Sequence, residues 1–211
     1  MQLRDNPHGG ANADQAGASV LLSSDRLASL SDTMFGVAMT LVATTLLPSI
    51  QAHNGALLDM FPAIGEELFT VVLSFGISAR YWVSQQQRLA MTRSITPFQT
   101  WLHLAFLFLI VLVPISTSLD GLTGSGAKST SVLIYGAHLF VLAMVNLLLW
   151  IEVHRSVGAH LQIVRSSLAL LLFTAALVVG ALRPEFAAYV WFAVLATTPL
   201  ARYLTRRLYG I

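Results

Sequence analysis

The sequence predicts an all-α integral membrane protein, and three observations carry that prediction. Of the 211 residues, 55% are hydrophobic and only 10% are charged, where soluble domains carry about 25% charged residues. Mean hydropathy is +0.71. Six stretches are long and apolar enough to cross a bilayer, which takes roughly 20 helical residues. They run over 29–48, 66–85, 100–119, 131–151, 162–182 and 186–204. The second is the least clean, since it opens on Glu66 and Glu67 and contains Arg80. Pro97 and Pro184 precede the third and sixth spans, where proline suits a helix start. Pro114 and Pro199 fall inside spans, where neighbours must satisfy the freed carbonyls. Residues 1–24 are rich in Gly, Ala, Asn and Asp, have little to bury, and read as a mobile tail without the apolar core of a signal peptide. Residues 25–211 form the membrane domain.

Charge orients the spans. With the N-terminus inside, Arg4, Arg26, Arg80, Arg88, Arg93, Arg155, Arg165, Arg202, Arg206 and Arg207 are cytoplasmic, while only Lys128 and Arg183 are outside. That bias predicts both termini in the cytoplasm of a multi-pass plasma-membrane protein. The net charge of +2 is too small to suggest nucleic acid. No cysteine is present, which excludes disulfides, thiolate metal sites and thiol nucleophiles.

Apparent catalytic motifs fail on context. "GLTGSGAKST" (Gly121–Thr130) approaches a phosphate-binding loop, but Ala127 separates Gly126 from Lys128 and a membrane span precedes it. His103 and His138 lie at opposite depths and cannot share a haem iron. No serine stands in a Gly-x-Ser-x-Gly turn. No enzyme, cofactor or metal site is expected. Asn146 and Ser74, polar within spans, read as interhelical hydrogen-bond partners.

The first span, "SLSDTMFGVAMTLVATTLLP" (Ser29–Pro48), is the informative one. An ionisable residue, Asp32, sits at its entrance, where a charge is costly and marks a structural or functional site. Arg26, six residues away, lies about 9 Å along the helix, too far for easy pairing. Val37, Leu41, Thr44 and Pro48 recur at helical spacing, with Thr40 beside them. Gly36 and Ala43 form a second face of small residues that permits close helix approach. Six helices are few for a monomeric transporter. If several copies met around an axis, branched apolar rings would gate by dewetting and hydroxyl rings would meet a partly dehydrated cation. The plainer alternative is a threonine bonded to its own i−4 carbonyl, and the pattern alone favours it.

"RLASLSD" (Arg26–Asp32) resembles the Arg-x-x-x-Phe-Ser-Asp signature of the transmembrane protein 175 family of endosomal and lysosomal potassium channels. "TMFGVAMTLVATTL" resembles that family's first helix, "LSFGISARYWVSQQQRL" its second and "WLHLAFLFLIVLVPISTSL" its third. The resemblance covers Arg26 to Leu119; the last three spans agree in count and hydrophobicity. Leu30 replaces the signature phenylalanine, Gln86 stands where histidine is frequent, and His103 stands where asparagine is usual. By resemblance, Val37 occupies the hydrophobic constriction, with Thr40, Leu41 and Thr44 lining the pore. Arg26, Leu30, Ser31 and Asp32 would fasten the helix to neighbours such as Trp82 and His103. The resemblance implies a bacterial single-repeat subunit, assembled as a homotetramer in the lipid bilayer. It would pass K+ and other monovalent cations, with modest preference for K+ over Na+. Two other classes remain: an ion-coupled secondary transporter titrating Asp32, and a non-conducting membrane assembly protein.

Overall fold

In the computed structural model, the described residues are 24–52, 57–92, 95–121, 128–183 and single positions between 186 and 207. All regular structure among them is helical: α1 Ser24–Thr44, α2 Leu47–Ala52, α3 Leu57–Met91, α4 Pro97–Val111, α5 Val113–Gly121, α6 Lys128–Val157 and α7 His160–Leu182. Among the described residues, four helical stretches are long and apolar enough to cross a membrane: Ser24–Gln51, Pro97–Leu119, Thr130–Val157 and His160–Leu182. They contain the first, third, fourth and fifth predicted spans.

The second predicted span lies within α3, whose 35 residues extend for about 52 Å at 1.5 Å per residue. Arg80 and Arg88 on this helix dilute its apolar character. Yet Arg88 is fully buried and Arg80 donates to Thr197 Oγ1 at 2.9 Å. Two arginines assigned by charge bias to a cytoplasmic segment are therefore held within the packed helices. The predicted tail lies outside the described residues except for Ser24, which begins α1. Most of the sixth predicted span, with Pro184 and Pro199, and residues 122–127 of the glycine-rich loop lie outside them as well.

Local chemistry explains where the helices start and stop. Pro48 has no N–H to return to the Thr44 carbonyl, and the chain turns at Thr45–Leu46 before α2. Pro97 opens α4 behind a capping box: Thr96 Oγ1 accepts from the Gln99 N–H at 3.2 Å, and Gln99 Oε1 accepts from the Thr96 N–H at 3.1 Å. Pro114 breaks the third span at Leu112, whose N–H is shared between the Phe108 and Leu109 carbonyls at 3.2 Å each. His138 of α6 bridges the break, with Nε2 donating to the Leu109 carbonyl at 2.9 Å and Nδ1 lying 2.8 Å from Ser116 Oγ. Between α6 and α7 the chain reverses at Gly158, whose φ of 72° lies in the left-handed region that glycine adopts without strain.

The helices pack as a bundle in which α1 lies on α3, α4 and α5, and α6 pairs with α7. The core of the α1 contact is Phe35, whose ring sits 6.1 Å from that of Phe106, with Tyr81 edge-on to Phe106 at 5.8 Å. Leu27, Ser31, Phe35, Ala38 and Val42 form the buried stripe of α1, spaced at the three- and four-residue steps that keep one face of a helix inward.

Candidate functional site

The stripe that α1 buries leaves a wider face open. Val37 is 51% exposed and Leu41 45%, and Gly36, Thr40 and Thr44 are exposed beside them. Of the most apolar 18 residues of this span only 17% are buried, against 28%, 44% and 50% in the other three. An apolar helix this bare within its own chain calls for covering by lipid or by another chain. Among the described residues, nothing lies within 4 Å of a Cβ built on Gly36, so the small-residue face is open to them too.

The threonines of this face are bonded to their own helix. Thr40 Oγ1 donates to the Gly36 carbonyl and Thr44 Oγ1 to the Leu41 carbonyl, both at 2.8 Å, and Thr33 Oγ1 donates to the Ser29 carbonyl at 3.0 Å. This is the plainer alternative, yet it leaves the other reading intact. A hydroxyl has one proton and two lone pairs. Once the proton is turned into the backbone, the oxygen offers only acceptor capacity outward, which is what a cation requires.

The Asp32 end of α1 is anchored. Asp32 Oδ1 accepts from Trp82 Nε1 at 2.8 Å and from Gln86 Nε2. Gln86 thus supplies a second donor to this carboxylate. Ser31, fully buried, accepts from Gln85 Nε2 at 3.0 Å, and the same amide nitrogen lies 3.0 Å from His103 Nδ1. Trp82 therefore meets Asp32 directly, while His103 joins Ser31 through Gln85. Arg26 is exposed and pairs with none of the described residues, and Leu30 is exposed beside it. Among the described residues, the interhelical hydrogen bonds at this end of α1 are made by Ser31 and Asp32.

The network extends past the residues the sequence singled out. Arg88 donates to Gln85 Oε1, to Asn146 Oδ1 at 3.2 Å and to the Asn146 carbonyl at 3.3 Å. Asn146 Nδ2 donates to Ser166 Oγ at 3.1 Å, Ser84 Oγ donates to Asn146 Oδ1 at 3.3 Å, and Trp150 Nε1 donates to Ser84 Oγ at 2.8 Å. Asn146 is thus an interhelical partner as its place in the span suggested. So is Ser74, which lies 2.9 Å from Tyr135 Oη and accepts from Thr117 Oγ1 at 2.9 Å. The polar run around Ser84, Gln85 and Arg88 escaped sequence reading because it resembles the solvated end of a span. Its one detectable signal is spacing: Gln85 and Arg88 are three apart and share a helix face. Among the described residues no cluster of three or more metal-ligating side chains occurs.

Residues 26–114 match the sequence profile of the family described as "Endosomal/lysosomal potassium channel TMEM175". The match spans less than half of the chain, and over it the chain is similar to that family. The matched segment runs from Arg26 through α1, α3 and α4 to Pro114, and so contains both the open face and its anchor. The resemblance read from the sequence is borne out over residues 26–114, and the family is described as one of potassium channels. A crystal structure of a lysosomal potassium-selective channel TMEM175 homolog from Chamaesiphon minutus superposes with a TM-score of 0.71 at 16% identity. The superposition covers 84% of this chain and 96% of that one. At that identity it speaks for the fold alone, which the two chains share well past residue 114. No curated protein matches the chain.

Proposed function

We propose that this chain is one subunit of a potassium-permeable cation channel whose pore is lined by α1. Four copies would place the face of Val37, Thr40, Leu41 and Thr44 around a common axis. Val37 would form the narrowest apolar ring, and the outward lone pairs of Thr40 and Thr44 would meet the ion. The observation that carries this reading is the exposure of that face on the least buried of the apolar spans, within the segment that matches a channel family. The C. minutus homolog, named as potassium-selective, supports potassium as the permeant ion. Selectivity over sodium is modest in this reading, because no Thr-Val-Gly-Tyr-Gly filter occurs in the sequence to replace the hydration shell. Six spans, cytoplasmic termini and a plasma-membrane location complete the proposal, on the strength of the arginine bias.

The chain contains no cysteine, so a thiol at one position can be read without background. In Val37→Cys, a cationic thiol reagent should block potassium current, while Leu171→Cys on α7, an exposed position away from that face, should leave current unchanged. A conducting Val37→Cys channel insensitive to the reagent would remove Val37 from the pore.

A further inference from the structure

Arg88 is the one cationic group in the network that anchors α1, and it is fully buried. Among the described residues no carboxylate bonds it. Its charge instead lies 5.2 Å from the ring of Phe106 and 5.5 Å from that of Trp150, within reach of a cation–π attraction from both. A bare charge among membrane helices is expensive, and packing alone would be served by methionine or leucine. The position calls for something that only a side chain with donors and no acceptor supplies.

That property is direction. Arginine donates and never accepts. The Gln85 amide must therefore turn its oxygen toward Arg88, which points its nitrogen at Ser31 Oγ and His103 Nδ1, both at 3.0 Å. An amide nitrogen only donates, so Ser31 accepts and Nδ1 accepts, and the His103 ring carries its proton on Nε2. On the other side, Asn146 turns Oδ1 toward Arg88, and its Nδ2 faces Ser166 of α7 at 3.1 Å. A neutral amide at position 88 would satisfy either orientation of Gln85 and leave the network degenerate.

We infer that Arg88 is a positioning residue for the Asp32 end of α1. Through Gln85 it fixes the donor face presented to Ser31 and His103, and through Asn146 it ties that setting to α6 and α7. The consequence for conduction rests on the channel reading; the hydrogen-bond direction does not.

The test is nitrogen NMR of His103 in the full-length protein in lipid nanodiscs, with its signals assigned by loss in His103→Gln. Wild type should show a bare Nδ1 and a protonated Nε2. Arg88→Lys, still a pure donor, should keep that tautomer. Arg88→Gln should give a mixture. Gln85→Glu keeps an acceptor for Arg88 but has no N–H to offer, so Nδ1 should become protonated; this variant decides the matter even if Arg88→Gln fails to assemble. In reconstituted bilayers, Arg88→Gln should change open probability by about two- to thirtyfold, the span of couplings carried by such networks, with unitary conductance unchanged. A single Nε2–H tautomer in Arg88→Gln, or a bare Nδ1 in Gln85→Glu, would overturn the inference. So would an altered tautomer with unaltered open probability. Wild-type protein without flux would sink the channel reading and leave the tautomer result standing.

Discussion

Replacing Asp32 by asparagine separates two roles that a carboxylate at the mouth of a membrane helix can have. In the structure Asp32 Oδ1 receives both donors, Trp82 Nε1 at 2.8 Å and Gln86 Nε2. Asparagine keeps a carbonyl oxygen with two lone pairs at that position and loses only the charge. Hydrogen bonds to a charged group contribute about 1.5–3 kcal/mol each, and neutral ones roughly half as much. Losing charge assistance on two bonds should therefore cost about 1.5–3 kcal/mol, at the lower end because Asp32 is exposed and water screens it. Asp32→Ala, which strands both donors, should cost about twice that. Thermal unfolding of the detergent-solubilised assembly measures the loss. A double-mutant cycle with Trp82→Phe isolates the Trp82 bond, with an expected coupling of about 1 kcal/mol. Potassium flux, measured on the same proteins, should persist in Asp32→Asn. An ion-coupled transporter that titrates Asp32 would lose all flux in Asp32→Asn while still assembling, and that result would refute the anchoring role.

Two further outcomes follow from the same geometry. Phe35→Ala removes a fully buried ring from between α1 and α4 and should destabilise the fold by about 3 kcal/mol, the low end for phenylalanine truncation, because lipid competes for the surface exposed; unfolding in a mixed-micelle titration reads it. Thr40→Val keeps the shape and removes the outward lone pairs, so the ratio of potassium to sodium permeability in bi-ionic conditions should fall with little change in stability, since the lost bond is only to the residue's own helix.

The open face of α1 was legible because helical period alone gathers Val37, Thr40, Leu41 and Thr44 on one side. The buried stripe through Ser31 and Phe35 follows from the same count. Trp82 and His103 came from resemblance, and their roles proved unequal: one bonds Asp32 directly, the other reaches Ser31 through an amide. The burial of Arg88 was not legible in the sequence, for a physical reason. A sequence signals charge as solvent exposure, and only the approach of Asn146, Phe106 and Trp150 from α4 and α6 turns that charge into a core group. Helix breaks were partly legible. Pro114 announced a kink in the third span, but the bridging of that kink by His138 depends on a residue 24 positions beyond Pro114 and could not be read locally.

The central claim is that α1 lines a cation pathway narrowed at Val37. Potassium flux into liposomes holding purified protein tests it most directly, with wild type, Val37→Ala and Val37→Phe run in parallel and sodium and a large organic cation alongside. The account predicts fast passive potassium flux, slower sodium flux and none for the large cation. It further predicts faster, less selective flux in Val37→Ala and block in Val37→Phe. Equal fluxes in all three proteins would contradict it, because the pathway would then run elsewhere than along α1.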